Sequence, residues 1–161
     1  MKNQIIKVDI TLAFKKIRKD VPISQNVYSR LIGWKTKSNY SHVEVIINNN
    51  WISSVETKGV HVKPLKPLKD EYEYVTLTVE VTEQQHLDNM TWIYKQDKKP
   101  YDTYGIVFTQ ILPLRFESRD KWYCSELTTK ILQLYSVQEV IDLYPQTTSP
   151  GILAKTFNIE S

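Results

Sequence analysis

Apolar and polar positions alternate along much of the first half of the chain, whereas apolar positions recur every three or four residues along much of the second. Ile5 to Phe14 mixes β-branched and polar residues and reads as a first strand. Val27, Leu31 and Trp34 stand near the helical spacing, so a short helix is expected over Ile23 to Trp34, with Ser24 as its N-cap. Tyr40 to Ile47 is rich in aromatic and β-branched residues. Asn48-Asn49-Asn50 follows as a turn and Trp51 to Glu56 as the return strand of a hairpin. Gly59 to Val62 continues into a third short strand, ended by Pro64 and Pro67. Glu73 to Val81 sets Tyr74, Thr76, Thr78 and Glu80 against Val75, Leu77, Val79 and Val81, the pattern of a half-buried strand.

From Thr82 onward the period changes. Thr82-Glu83 opens a helix to about Gln96, with Leu87, Met90, Trp92 and Ile93 as packing residues, and Lys98-Lys99-Pro100 ends it. Asp102 to Leu112 reads as a short helix or irregular segment. Asp120 to Tyr135 is the strongest helix, placing Leu127, Ile131, Leu134 and Tyr135 on one face. Val137 to Leu143 suggests a further short helix, and Thr148 to Leu153 a turn into a last helical turn. A run of strands followed by helices is an α+β pattern, so an antiparallel sheet packed against the Asp120 helix is expected.

Composition narrows the function classes. The chain has 161 residues, a length that suits one domain over 1–161, and its hydrophobic fraction of 41% is ordinary for a soluble globular protein. It contains no run of roughly twenty apolar residues that would span a bilayer, so no transmembrane segment is expected. Met1 to Asp9 carries a charge every few residues and lacks the apolar run of a secretory signal, which predicts a cytoplasmic protein. The net charge of +3 is small, and the basic stretch Lys15-Lys16-Ile17-Arg18-Lys19 is short enough to be a solvated strand end, so no nucleic-acid partner is expected. With 4 glycines there is no Gly-rich phosphate loop, and nothing calls for a cofactor. A single cysteine rules out an intramolecular disulfide and argues against a cysteine-based zinc site. His61, near a strand edge, and His86, on the Thr82 helix among polar residues, read as solvated surface residues.

That one cysteine, Cys124, lies in Trp122-Tyr123-Cys124-Ser125-Glu126-Leu127, in the first turns of the Asp120 helix. A helix start offers unpaired N–H groups and the positive end of the helix dipole. Both favour a thiolate and could hold an oxyanion. The plain alternative is a small residue on the helix's apolar face. A nucleophilic thiol needs a base, and the base a group to orient it. His42, in the Tyr40 strand, is the candidate base, with Tyr40, Glu44 and Ile46 as its neighbours on the same face. Glu56 and Ser54, across the turn, share a parity and are the first and second candidates to orient the imidazole, with Glu44 a third.

Four stretches in this order resemble circularly permuted papain-like cysteine hydrolases of the NlpC type, including the YiiX-like group and related phage proteins. They are Tyr40-Ser41-His42-Val43-Glu44-Val45, Trp51-Ile52-Ser53-Ser54 with Gly59-Val60, Pro100-Tyr101-Asp102-Thr103-Tyr104-Gly105-Ile106, and Trp122 to Leu127. The histidine precedes the cysteine, as in the permuted order. The resemblance spans roughly residues 30 to 155. It implies Cys124 as nucleophile, His42 as base, a polar third residue on the following strand at Ser54 or Glu56, and Tyr101 as an aid to the oxyanion. Ser149-Pro150 resembles a structural helix-start turn. The implied activity is that of a cysteine peptidase or amidase acting on a peptide, amide or other acyl substrate. A lipid-directed thioesterase or acyltransferase is a second possibility. A third, of a different class, is a binding module of the same fold that uses surface tyrosines to engage a partner such as a host factor.

Overall fold

A computed structural model describes residues 4–17, 38–102 and 120–159 of the chain. The expected helix over Ile23 to Trp34 with its Ser24 cap, and nearly all of the Asp102 to Leu112 segment, lie outside the described residues.

Five strands, β1 (Ile5–Lys16), β2 (Tyr40–Ile47), β3 (Asn50–Val55), β4 (Gly59–Pro64) and β5 (Tyr72–Thr82), form one sheet in the order β4-β3-β2-β1-β5. Every pairing is antiparallel. Among the described residues three helices follow: α1 (Glu83–Gln96), α2 (Cys124–Leu134) and α3 (Pro150–Thr156), with 3₁₀ turns at Gln138–Val140 and Pro145–Thr147. The α+β expectation therefore holds, as an antiparallel sheet with helices after it. The Val137 to Leu143 helix is reduced to one of the 3₁₀ turns. No described helix is long and apolar enough to cross a membrane.

The sheet's alternation decides what is core. Ile10, Leu12 and Phe14 on β1 stand opposite Ile47, Val45 and Val43 on β2, and all six are buried on one face. Ile52 opposite Val45 extends this face onto β3. The helices close it: Leu127, Ile131 and Leu132 from α2, Leu153 and Ala154 from α3, and Met90 and Ile93 from α1 belong to the same core. Ile131 and Leu132 are fully buried, so truncating either to alanine should cost about 2–5 kcal/mol.

Two irregularities in the sheet bear on the site. The hairpin between β2 and β3 turns on only two residues, Asn48 and Asn49, both with positive φ (48° and 57°), and Asn50 already pairs with Ile47. That is the type I′ geometry, whose twist suits a hairpin and which asparagine tolerates. On the other side of β2, His42 pairs with Lys15 but Tyr40 with Lys16, leaving Ser41 as a bulge. The bulge turns Tyr40 away from His42's face and into the core, where its ring meets Phe14 edge-on at 5.6 Å.

Candidate active site

Cys124 is the first residue of α2, not a residue inside a helix begun at Asp120. The backbone before it is held extended. The Trp122 N–H donates to the Pro100 carbonyl, the Asp102 N–H donates to the Trp122 carbonyl, and Tyr101 and Trp122 form a parallel bridge. Tyr123, the N-cap residue, has φ −103° and ψ 166°, and its hydroxyl is committed to the carbonyls of Pro145 and Gln146. Tyr123 therefore makes no side-chain cap. The Ser125 hydroxyl donates to the Thr148 carbonyl at 2.7 Å, which fixes the first turn from its other side.

The pairing between β2 and β3 stops at Val45 and Ile52. Beyond that point the start of α2 meets both strands. The Ser54 hydroxyl donates to the Trp122 carbonyl at 2.6 Å, and the Val43 and Ser125 N–H groups donate to the Cys124 sulfur. His42 hydrogen-bonds Cys124 as well. Its Nε2 faces Glu44 Oε1 at 3.1 Å and Ser53 Oγ at 3.3 Å, which leaves Nδ1 as the nitrogen for the thiol.

Glu44 is held by four donors. His42 and Ser53 share Oε1, Trp51 Nε1 donates to Oε2, and the Tyr72 hydroxyl also donates to the carboxylate. A buried carboxylate satisfied this fully is stable as an anion and can orient and charge an imidazole.

The electrostatics follow from these contacts. Burial alone would raise the Cys124 thiol, but the charge and hydrogen bond of His42, aided by the Val43 and Ser125 N–H groups, bring it below its ordinary value. Burial alone would lower His42, but the Cys124 charge and hydrogen bond, followed by Glu44, hold it up at about 10. Glu44 would be raised by burial, yet the hydrogen bond and charge of His42 with the Ser53 and Trp51 donors bring it to about 2. Opposite shifts on two touching groups favour a thiolate–imidazolium pair backed by a carboxylate.

The group that orients His42 is not one of the two expected first. Glu56 lies exposed in the turn after β3, and Ser54 faces the start of α2 instead of His42. A three-residue Asn48–Asn50 turn would have given both the parity of His42. The two-residue turn shifts the register by one, and a shift of one exchanges the faces of a strand. Glu44, the third candidate, and Ser53 take that position. Ser53 was missed, although a two-residue Asn-Asn turn would have marked it. Tyr101 is brought by its backbone bridge to within two residues of Cys124 along the partner segment, and it is half-buried there.

Of the other histidines, His61 is half-buried, with Nδ1 facing the Gly59 carbonyl at 3.4 Å. His86 is not simply solvated either. Its Nδ1 meets the hydroxyl of the buried Tyr135 at 2.9 Å, joining α1 to the end of α2. Among the described residues no group of three His, Cys, Asp or Glu side chains could hold a metal ion.

No protein-family model matches the chain, and neither a curated protein nor a solved structure was found to match it.

Proposed function

We propose that the protein is a cysteine hydrolase of the permuted papain-like type, acting through an acyl-enzyme on a peptide or amide bond. The observation that carries this reading is the hydrogen-bonded Cys124–His42 pair at the start of α2, with the thiol shifted down and the imidazole shifted up. A cysteine that merely packed among apolar side chains would have its thiol raised.

In the proposed reaction the Cys124 thiolate attacks the carbonyl carbon and its electron pair forms the C–S bond. The carbonyl oxygen becomes an oxyanion, to be held by backbone N–H groups at the start of α2 and by the Tyr101 hydroxyl. The His42 imidazolium gives its proton to the leaving amine as the C–N bond breaks. Neutral His42 then removes a proton from water, which attacks the thioester, and the acid and the thiolate are released. Glu44, with Ser53, keeps the imidazole turned toward Cys124 and favours its charged form.

Alkylation by iodoacetamide tests the nucleophile. With the pair intact, the rate at pH 6 should stay within a few fold of that at pH 8, because thiolate persists well below the ordinary thiol pKa of about 8.5. His42→Ala should restore the steep rise of an ordinary thiol. Intact-mass detection of an acyl adduct after p-nitrophenyl acetate, absent in Cys124→Ala, tests the acyl-enzyme. A thiol that labels only after unfolding, or labels alike with and without His42, would remove the basis for the hydrolase.

A further inference from the structure

On the face of the sheet that carries His42 and Glu44, a cleft of about 180 Å³ is lined by Glu44, Trp51, His61, Tyr72 and the side chains of Lys63, Lys66 and Lys69. Neither His42 nor Cys124 lines it. Its floor is set by register: His61 stands opposite Ser53 and Lys63 opposite Trp51, so β4 presents both to the same side as Trp51. Its wall is the segment between β4 and β5, stiffened by Pro64 and Pro67.

Charge decides what this cleft suits. Three lysines line it. Lys69 has a distant partner in Glu71 at 3.9 Å, while Lys63 and Lys66 have no ion-pair partner among the described residues. The one acid in the lining, Glu44, is an anion and offsets one of the three lysines, so the lining keeps a net positive charge. Three lysines around a partly open cleft favour a multiply charged anion, and lysine serves phosphate as a point charge. We propose that this cleft is a binding site for a phosphate-bearing ligand, adjoining the Cys124 site through Glu44 and its partners Trp51 and Tyr72. A free phosphorylated compound and a phospholipid headgroup present the same chemistry.

The site does not require Cys124 to be a nucleophile, so it stands or falls separately from the hydrolase reading. Isothermal titration of the full chain with inorganic pyrophosphate is the test. Wild type and Cys124→Ala should bind alike, more weakly as salt is raised. Lys63→Ala/Lys66→Ala should bind at least tenfold less tightly. Lys7→Ala, whose ammonium lies instead beside Glu80, should bind as wild type. Lys63 and Lys66 are exposed, so the double variant should fold, with an unchanged circular-dichroism spectrum as the check. Co-sedimentation with phosphatidylcholine vesicles, with and without phosphatidic acid, separates the two sources. Lysine-dependent sedimentation only with phosphatidic acid assigns a headgroup, and pyrophosphate binding without sedimentation assigns a free compound. No binding heat with wild type, or equal affinity in the double lysine variant, overturns the proposal.

Discussion

Helices α1 and α2 begin in opposite ways. At α1 the Thr82 hydroxyl accepts from the Gln85 N–H, Glu83 stands in the first turn, and half of the helix residues are exposed. α3 is capped in the same manner, with Ser149 accepting from the Ile152 N–H. At α2 no side chain caps the first turn, nearly every residue is buried, and the Ser125 N–H points at sulfur. A cap consumes a free donor for stability, whereas α2 leaves its donors to an anion that is part of the chain. The uncapped start is stabilised from outside, by Tyr123 on Pro145 and Gln146 and by Ser125 on Thr148.

Four substitutions can break or sharpen that contrast. The largest effect is expected from Cys124→Ala, which should reduce turnover by about 10⁴-fold or more while lowering stability by only about 1 kcal/mol. Steady-state rates beside thermal melts check both halves.

Glu44→Gln comes next. It removes the charge that favours the imidazolium and leaves four donors facing a weaker acceptor, so activity should fall about 10²- to 10⁴-fold. Stability should also drop by about 1–3 kcal/mol. The sign with pH follows from the depressed carboxyl. Its stabilisation is complete above the unfolded value near 4.5 and is lost as pH falls toward about 2. The stability gap between wild type and Glu44→Gln should therefore hold from pH 5 to 6 and close progressively below pH 4.5. His42 runs the other way, contributing fully below 6.5 and losing its contribution as pH rises through about 10. Denaturant melts from pH 3 to 10 measure both limbs.

Ser53→Ala should act more gently, with a drop in activity of roughly tenfold or less, because Glu44 keeps His42, Trp51 and Tyr72 as donors. The smallest functional effect belongs to Thr82→Ala. It should destabilise the fold by about 1 kcal/mol and leave the alkylation rate of Cys124 unchanged, since a cap at α1 has no link to the thiol. A change in thiol reactivity in that variant would contradict the separation of the two helix starts.

Much of the fold can be read along the chain because strands and helices differ in period. Alternation marked Tyr74 to Val81, and Thr82-Glu83 was recognisable as the opening of α1. What alternation does not carry is phase. Whether Ser53 or Ser54 faced His42 depended on a turn of two residues or three. Asn48-Asn49-Asn50 leaves this open until the φ angles are known. The start of α2 was misjudged for a similar reason. Asp120 to Tyr123 carry acceptable helix residues, and the long-range bridge from Trp122 to Pro100, Tyr101 and Asp102 holds the backbone before Cys124 out of the helix. Local propensity does not contain such a partner.

The position of β1 between β2 and β5 has a consequence for how the chain assembles. β1 precedes the other described strands, yet its Ile5 end pairs with Thr82 and its Leu12 with both Val45 and Val75. Closing those loops before any long-range contact is formed slows folding. Until β5 has been synthesised, one whole edge of β1 remains an open template, rich in Ile, Val and Leu, on which another nascent copy can pair. Refolding yield should therefore fall with protein concentration, and a chain cut before Tyr72 should aggregate.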